Sequence, residues 1–221
     1  MLFDENWLAV RMTFLIPLIL SLSVHEWAHA WTAWMLGDRT AESQGRLTLN
    51  PLAHIDPIGT VLLPLLGVPF GWAKPVPINP AFFHHGVAMR TGVMLTALAG
   101  PVSNFCVAFL CAILRGLLVS GSEVRFDQAP MLLTLFEMLI TMNIALAVFN
   151  LLPIPPLDGS RIVDGLLPDG LRSGWDEIAR IGPILLMGVL VLLGLTGSRL
   201  LTGPIEFFRS LLSSLTGLIS G

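Results

Sequence analysis

LSVHEWAHAWTAWMLGD, residues 22–38, sets His25, Glu26 and His29 among tryptophan, alanine and leucine, inside a run that stays apolar from about residue 7 to residue 36. About 20 apolar residues carry a helix across a bilayer core of roughly 30 Å, so this run is long enough to span. Further apolar stretches of comparable character lie near 91–120, 130–152, 181–197 and 200–219. Composition points the same way: 54% of the chain is hydrophobic and 12% is charged, against about 25% charged in an ordinary soluble domain. The expected fold class is an all-α polytopic membrane protein with about five transmembrane helices. The opening MLFDENW is acidic rather than basic, which does not suit a cleaved signal peptide.

A sixth stretch, IDPIGTVLLPLLGVPF at 55–70, is too short and too interrupted by proline to cross, and reads as a re-entrant or interfacial segment. Arginine and lysine decide the expected orientation. With the first helix running outward to inward, the connections 37–90 and 153–180 hold Arg39, Arg46, Lys74, Arg90, Arg161, Arg172 and Arg180, leaving little beyond Arg125 and Arg199 for the other face. The positive-inside bias therefore predicts an outside amino terminus, an inside carboxyl terminus and cytoplasmic connections. A net charge of −3 without any basic patch argues against a nucleic-acid partner. Cys106 and Cys111 lie five apart in one apolar run, off a common helical face, and read as packing. Polar residues are confined to short connections, so residues 1–221 read as one integral-membrane domain.

The four-residue separation of His25 and His29 puts both imidazoles on one helical face. Two imidazole nitrogens one turn apart can hold one zinc ion and leave positions for a third protein ligand and water. Glu26 stands beside that water and can take its proton, which is the chemistry of H-E-x-x-H in zinc metallopeptidases. The competing explanation is a polar network that ties helices together. Ionisable groups at membrane depth are costly, which favours the functional reading. Trp27, Trp31 and Trp34 read as interfacial anchors or packing.

A third ligand must come from elsewhere in the chain, and NLLPIPPLDGSRI offers one. Pro153, Pro155 and Pro156 exclude regular helix and stiffen the backbone ahead of Asp158. A braced carboxylate loses little freedom on binding metal, although an aspartate ahead of GSRIV could instead cap the next helix. Asp164 and Asp169 lack the proline brace and read as turn or cap residues. Asn150, at the end of the preceding apolar run, suits either a hydrogen bond to substrate backbone or one that closes its own helix.

These stretches resemble the site-2 protease family of intramembrane zinc metalloproteases, in its compact bacterial and archaeal form without PDZ or CBS domains. The resemblance runs through HEWAHA, GRLTLNPLAHIDPIGT, FGWAKPVPIN, LTALAGPVSN and NLLPIPPLDG, roughly residues 20–165. It implies His25, His29 and Asp158 as ligands of one Zn2+, Glu26 as general base, and Asn150 close to the site. It also implies that GWAKPVPIN, with AESQGRLTLN as a neighbouring strand, forms a small membrane-associated β element that guides an unwound transmembrane substrate. His54 is then expected to orient a loop beneath the site, and His84 and His85 carry no assigned chemistry.

The expected activity is hydrolysis of peptide bonds within or near transmembrane segments. The expected partners are a membrane-protein substrate and the lipid bilayer, with the active site towards the cytoplasmic side. A metal transporter would use the same ligands but has no need of Glu26, and a catalytically inactive adaptor has no need of an intact H-E-x-x-H.

Overall fold

A computed structural model describes residues 7–68, 71–120, 130–195 and 199–220. The acidic opening before Trp7, Phe70 and Arg125 fall outside the described residues. Five long helices form where the apolar runs predict them: α1 (Trp7–Met35), α4 (Met89–Ser120), α5 (Pro130–Asn150), α7 (Arg172–Leu195) and α8 (Arg199–Ser220). Between them lie the short helices α2 (Thr40–Ser43), α3 (Leu63–Leu65) and α6 (Asp158–Leu166). Two helices, Met89–Val119 and Met131–Asn150, are long and apolar enough to cross a membrane.

α4 organises the molecule. On one side Ala108, Cys111 and Ala112 pack against Ile140, Ile144 and Val148 of α5, and Phe105, Phe208 and Leu212 close that cluster from α4 and α8. Cys111 is buried in this core while Cys106 is exposed, and both are free thiols. On the other side of the bundle Leu18 and Leu22 of α1 pack with Met142 and Leu146 of α5. Buried apolar surface contributes about 25 cal/mol per Å2 where water is the alternative solvent. Among lipid-facing helices, close packing and interhelical hydrogen bonds matter more. The latter are present: Asn104 of α4 donates to Asn143 Oδ1 of α5 (2.8 Å) and to the Ser21 carbonyl of α1 (3.2 Å). Asn143 donates in turn to Ser21 Oγ (2.8 Å). All three residues are buried.

The order of these contacts fixes the helix directions. Ser21 meets Asn104, whereas His29, two turns further along α1, meets Thr96. α1 is therefore antiparallel to α4. Phe105 packs against Phe208, and Thr216 lies against Gly116, so α8 runs parallel to α4. The carboxyl end of α8 consequently sits at the same end of the bundle as the start of α1. Five alternating spans would put it at the opposite end. α7 breaks the alternation: it touches the bundle where Gly182 meets Pro155, and most of its length is exposed.

No strand forms among the described residues, so the predicted β element is replaced by other structure. Over 38–50, Asp38 Oδ1 accepts the Thr40 N–H (2.9 Å) ahead of α2, and Gly45 turns the chain at φ +67°. GWAKPVPIN stays free of regular structure because Pro75 and Pro77 lack the N–H groups a ladder requires. The 55–70 stretch forms a π-helical turn over Pro57–Leu62 that continues into α3, well short of a span. Asp56 caps it, accepting from the Ile58 and Gly59 N–H groups at 3.0 and 2.7 Å.

Candidate metal centre

One helical turn on α1 brings the two imidazoles together, with His25 Nε2 and His29 Nε2 3.0 Å apart. Asp158 is the first residue of α6, and its Oδ2 lies 3.2 and 3.3 Å from those two nitrogens. All three residues are buried, and among the described residues this is the group able to hold a metal ion. The carboxylate faces the histidines rather than capping α6, which answers the alternative left open by the sequence. Asp164 and Asp169 stand apart from the centre, paired with Arg90, and Asp169 also with Arg172.

The outer nitrogens settle what the inner ones can do. His25 Nδ1 is 2.7 Å from Asn104 Oδ1, and His29 Nδ1 is 2.7 Å from the Thr96 carbonyl oxygen. Both partners are acceptors, because the Asn104 amide nitrogen is committed to Ser21 and Asn143. Each Nδ1 therefore carries a proton, and each neutral ring turns an Nε2 lone pair towards the other and towards Asp158 Oδ2. That oxygen is buried and without a hydrogen-bond donor. Two lone pairs and a carboxylate oxygen in one buried spot repel unless a positive charge lies between them. A proton on one ring meets the need partly. A divalent cation meets it fully, and two imidazoles with one carboxylate are a zinc donor set.

The sequence reading missed what surrounds the ligands. At Gly100, in LTALAGPVSN, an added Cβ would lie 2.5 Å from both His25 Cε1 and His29 Nε2. Only glycine lets α4 approach the imidazoles this closely. Gly159 plays the same part for Asp158, since a Cβ there would lie 2.3 Å from the Leu151 carbonyl oxygen. Arg90 of α4 reaches the carbonyls of Asp164 and Leu167 at the other end of α6, and so docks the helix that carries Asp158. Asn104 and Asn143, polar residues in the middle of long apolar helices, were visible signals. Their partners were not.

A cavity of ≈ 410 Å3 opens beside the three ligands and is bordered by Glu26, Val76, Asn150, Arg161 and Leu190. Glu26 is buried on the same turn as His25, and its Oε2 accepts the Val76 N–H at 2.8 Å. Asn150 lines this cavity while its amide donates to the Leu146 carbonyl (3.0 Å), so the helix-end hydrogen bond exists alongside a position near the site. The 71–79 strap forms one wall, and family-like segments fasten it. Thr60 Oγ1 donates to the Trp72 carbonyl (2.7 Å) and the Lys74 N–H to the His54 carbonyl (2.9 Å). Asp38 Oδ2 accepts the Asn79 N–H (2.6 Å). His54 thus works beneath the strap, its ring Nε2 2.8 Å from the Thr48 carbonyl. His84 lies against Gly37, and His85 is exposed.

The chain is similar to known zinc metalloproteases. A family model described as Peptidase family M50 matches residues 118–193, the part that contains Asp158. The "Putative zinc metalloprotease YwhC" of Bacillus subtilis is 43% identical over 177 residues, covering 80% of this chain and 78% of that protein. The "Putative zinc metalloprotease Rip2" of Mycobacterium tuberculosis H37Rv is 32% identical over 142 residues, covering 64% of this chain and 52% of that protein. No solved structure matches. The class is that of zinc metalloproteases. Within it, the chain belongs to peptidase family M50, the site-2 protease family.

Proposed function

We propose that this protein cleaves peptide bonds within or near transmembrane segments of membrane-protein substrates, with His25, His29 and Asp158 holding one zinc ion and Glu26 as general base. The observation that carries this reading is the convergence of three buried ligand atoms whose two imidazoles have their outer nitrogens already committed to acceptors. Zinc at this place supplies Lewis acidity, which activates water and polarises a carbonyl.

The chain's own residues do the rest. Asn104 and the Thr96 carbonyl hold the two rings in the ligating tautomer. Glu26, on the cavity wall, accepts a proton from the attacking water and returns it to the departing amine nitrogen. Asn150 borders the cavity where its amide can meet substrate backbone. A helical substrate hides its carbonyls in internal hydrogen bonds, so its scissile segment must unwind first, and Gly or Pro near the cut lowers that cost.

The membrane reading rests on the composition, on two apolar helices of spanning length and on family membership. We place the site towards the cytoplasmic face, where the arginine-rich connections lie. The deciding experiment uses purified protein in detergent, with a fluorogenic peptide of about 20 apolar residues interrupted by Gly and Pro. Glu26→Gln should bind zinc at wild-type stoichiometry and lose cleavage, and chelation of the wild type should abolish cleavage until zinc is restored. Turnover by the zinc-loaded Glu26→Gln protein removes Glu26 as base.

A further inference from the structure

The strap residue that touches Glu26 is itself held in an unusual way. Prolines at 75 and 77 leave Val76 the only N–H donor in 75–77, and that N–H is the one given to Glu26 Oε2 at 2.8 Å. The same peptide unit has its carbonyl on Pro75, and this oxygen accepts from Arg46 Nη2 at 3.3 Å, while Nη2 also reaches the Lys74 carbonyl at 2.6 Å. Arg46 is 7% exposed, and every hydrogen bond seen for its guanidinium goes to these two carbonyls. A buried cation commonly meets a carboxylate. Here a carboxylate stands at the far side of one peptide bond.

We infer that Arg46 is a positioning residue for catalysis, acting on Glu26 through the Pro75–Val76 peptide. This rests on the reading of Glu26 as general base. A cation on the carbonyl oxygen draws electron density along the amide and strengthens its N–H as a donor, as in hydrogen-bond chains that polarise one another. The donor is aimed at one carboxylate oxygen, which fixes the rotation of the Glu26 side chain and leaves the other oxygen to face the cavity. Rigidity is built in at each joint: the peptide plane resists rotation, Pro77 restricts Val76, and Arg46 holds two successive carbonyls. Arg46 touches neither ligand nor base. It lies in AESQGRLTLN, for which the family resemblance implies a strand that the fold does not form.

The test compares zinc content, kcat and KM of the full-length protein on the same apolar fluorogenic peptide. Arg46→Gln removes the cation and Val76→Pro removes the N–H, and each is expected to lower kcat by about 10- to 100-fold, the usual cost of losing a group that orients the reacting shell. Zinc content and KM should stay at wild-type values, and Val76→Ala, which keeps the N–H, should lose less kcat than Val76→Pro. Because both act through one peptide, Arg46→Gln combined with Val76→Pro should be no slower than Val76→Pro alone. Multiplying losses, or a change confined to KM or zinc content, would overturn the assignment.

Should Arg46→Gln not yield folded protein, Arg46→Met decides the point: it keeps most of the stem without the charge or the donors, and wild-type kcat from it overturns the proposal. Failure of the underlying reading looks different. Turnover by zinc-loaded Glu26→Gln removes the base, whereas Arg46→Gln at wild-type kcat, in an enzyme that does require Glu26, removes only the role of Arg46.

Discussion

Gly100→Ala is the most direct test of how the fold builds the metal centre, since it adds one methyl group and changes no polar atom. The added carbon would lie 2.5 Å from His25 Cε1 and from His29 Nε2, against an ordinary contact of about 3.5 Å. Something must therefore move by about 1 Å, and metal ligation tolerates about 0.2 Å. α4 cannot retreat easily, because Asn104 ties it to α1 and α5 one turn away. The imidazoles must yield instead, straining the bonds to Asn104 and the Thr96 carbonyl. Overpacking of this kind costs about 1–3 kcal/mol, which translates to roughly 5- to 150-fold weaker zinc binding if it falls on the ligated geometry. Competition with a chromophoric chelator in detergent measures this directly. Gly188→Ala serves as control, since a Cβ there meets nothing within 4 Å and should leave zinc affinity unchanged. Zinc affinity of Gly100→Ala within twofold of wild type would refute the reasoning that glycine is needed for α4 to approach the rings.

Two further outcomes follow from the bundle. Asn104→Ala leaves His25 Nδ1 and the Asn143 amide without their buried partner. It should cost about 1–3 kcal/mol in stability and about 10- to 100-fold in zinc affinity, read by thermal unfolding and the same chelator competition. The direction of α8 has its own test: in a cysteine-free background, a membrane-impermeant thiol reagent should label cysteines at exposed positions 44 and 214 from opposite sides of the membrane. Labelling of both from one side would contradict the parallel packing of α8 on α4.

The proposed ligands His25 and His29 were legible because their spacing is local. His25, Glu26 and His29 are one helical turn, and a period of 3.6 residues puts both imidazoles on one face whatever the rest of the chain does. The long helices were legible for a similar reason, as runs of apolar side chains need no tertiary partner to be recognised. Asp158 could be nominated from its proline brace, yet the same residue suited a helix cap, and nothing local separated the two. The fold separated them by docking α6 on α4 through Arg90 and by allowing Gly159 to lie against the Leu151 carbonyl.

AESQGRLTLN shows the limit from the other side. The family resemblance implies a strand there, but a strand needs a partner with free donors. The strap it would have paired with carries two prolines and spends its Lys74, Val76 and Asn79 N–H groups on His54, Glu26 and Asp38. What the sequence alone determined is therefore the membrane-like composition, the long helices and the pairing of His25 with His29 on one helical face, all properties of neighbouring residues. Tertiary structure alone decided the tautomers of the two histidines, the glycine that lets α4 reach them, the direction of α8 and the link from Arg46 to Glu26. Each of these is a contact between residues distant along the chain, and such contacts leave no trace in local spacing.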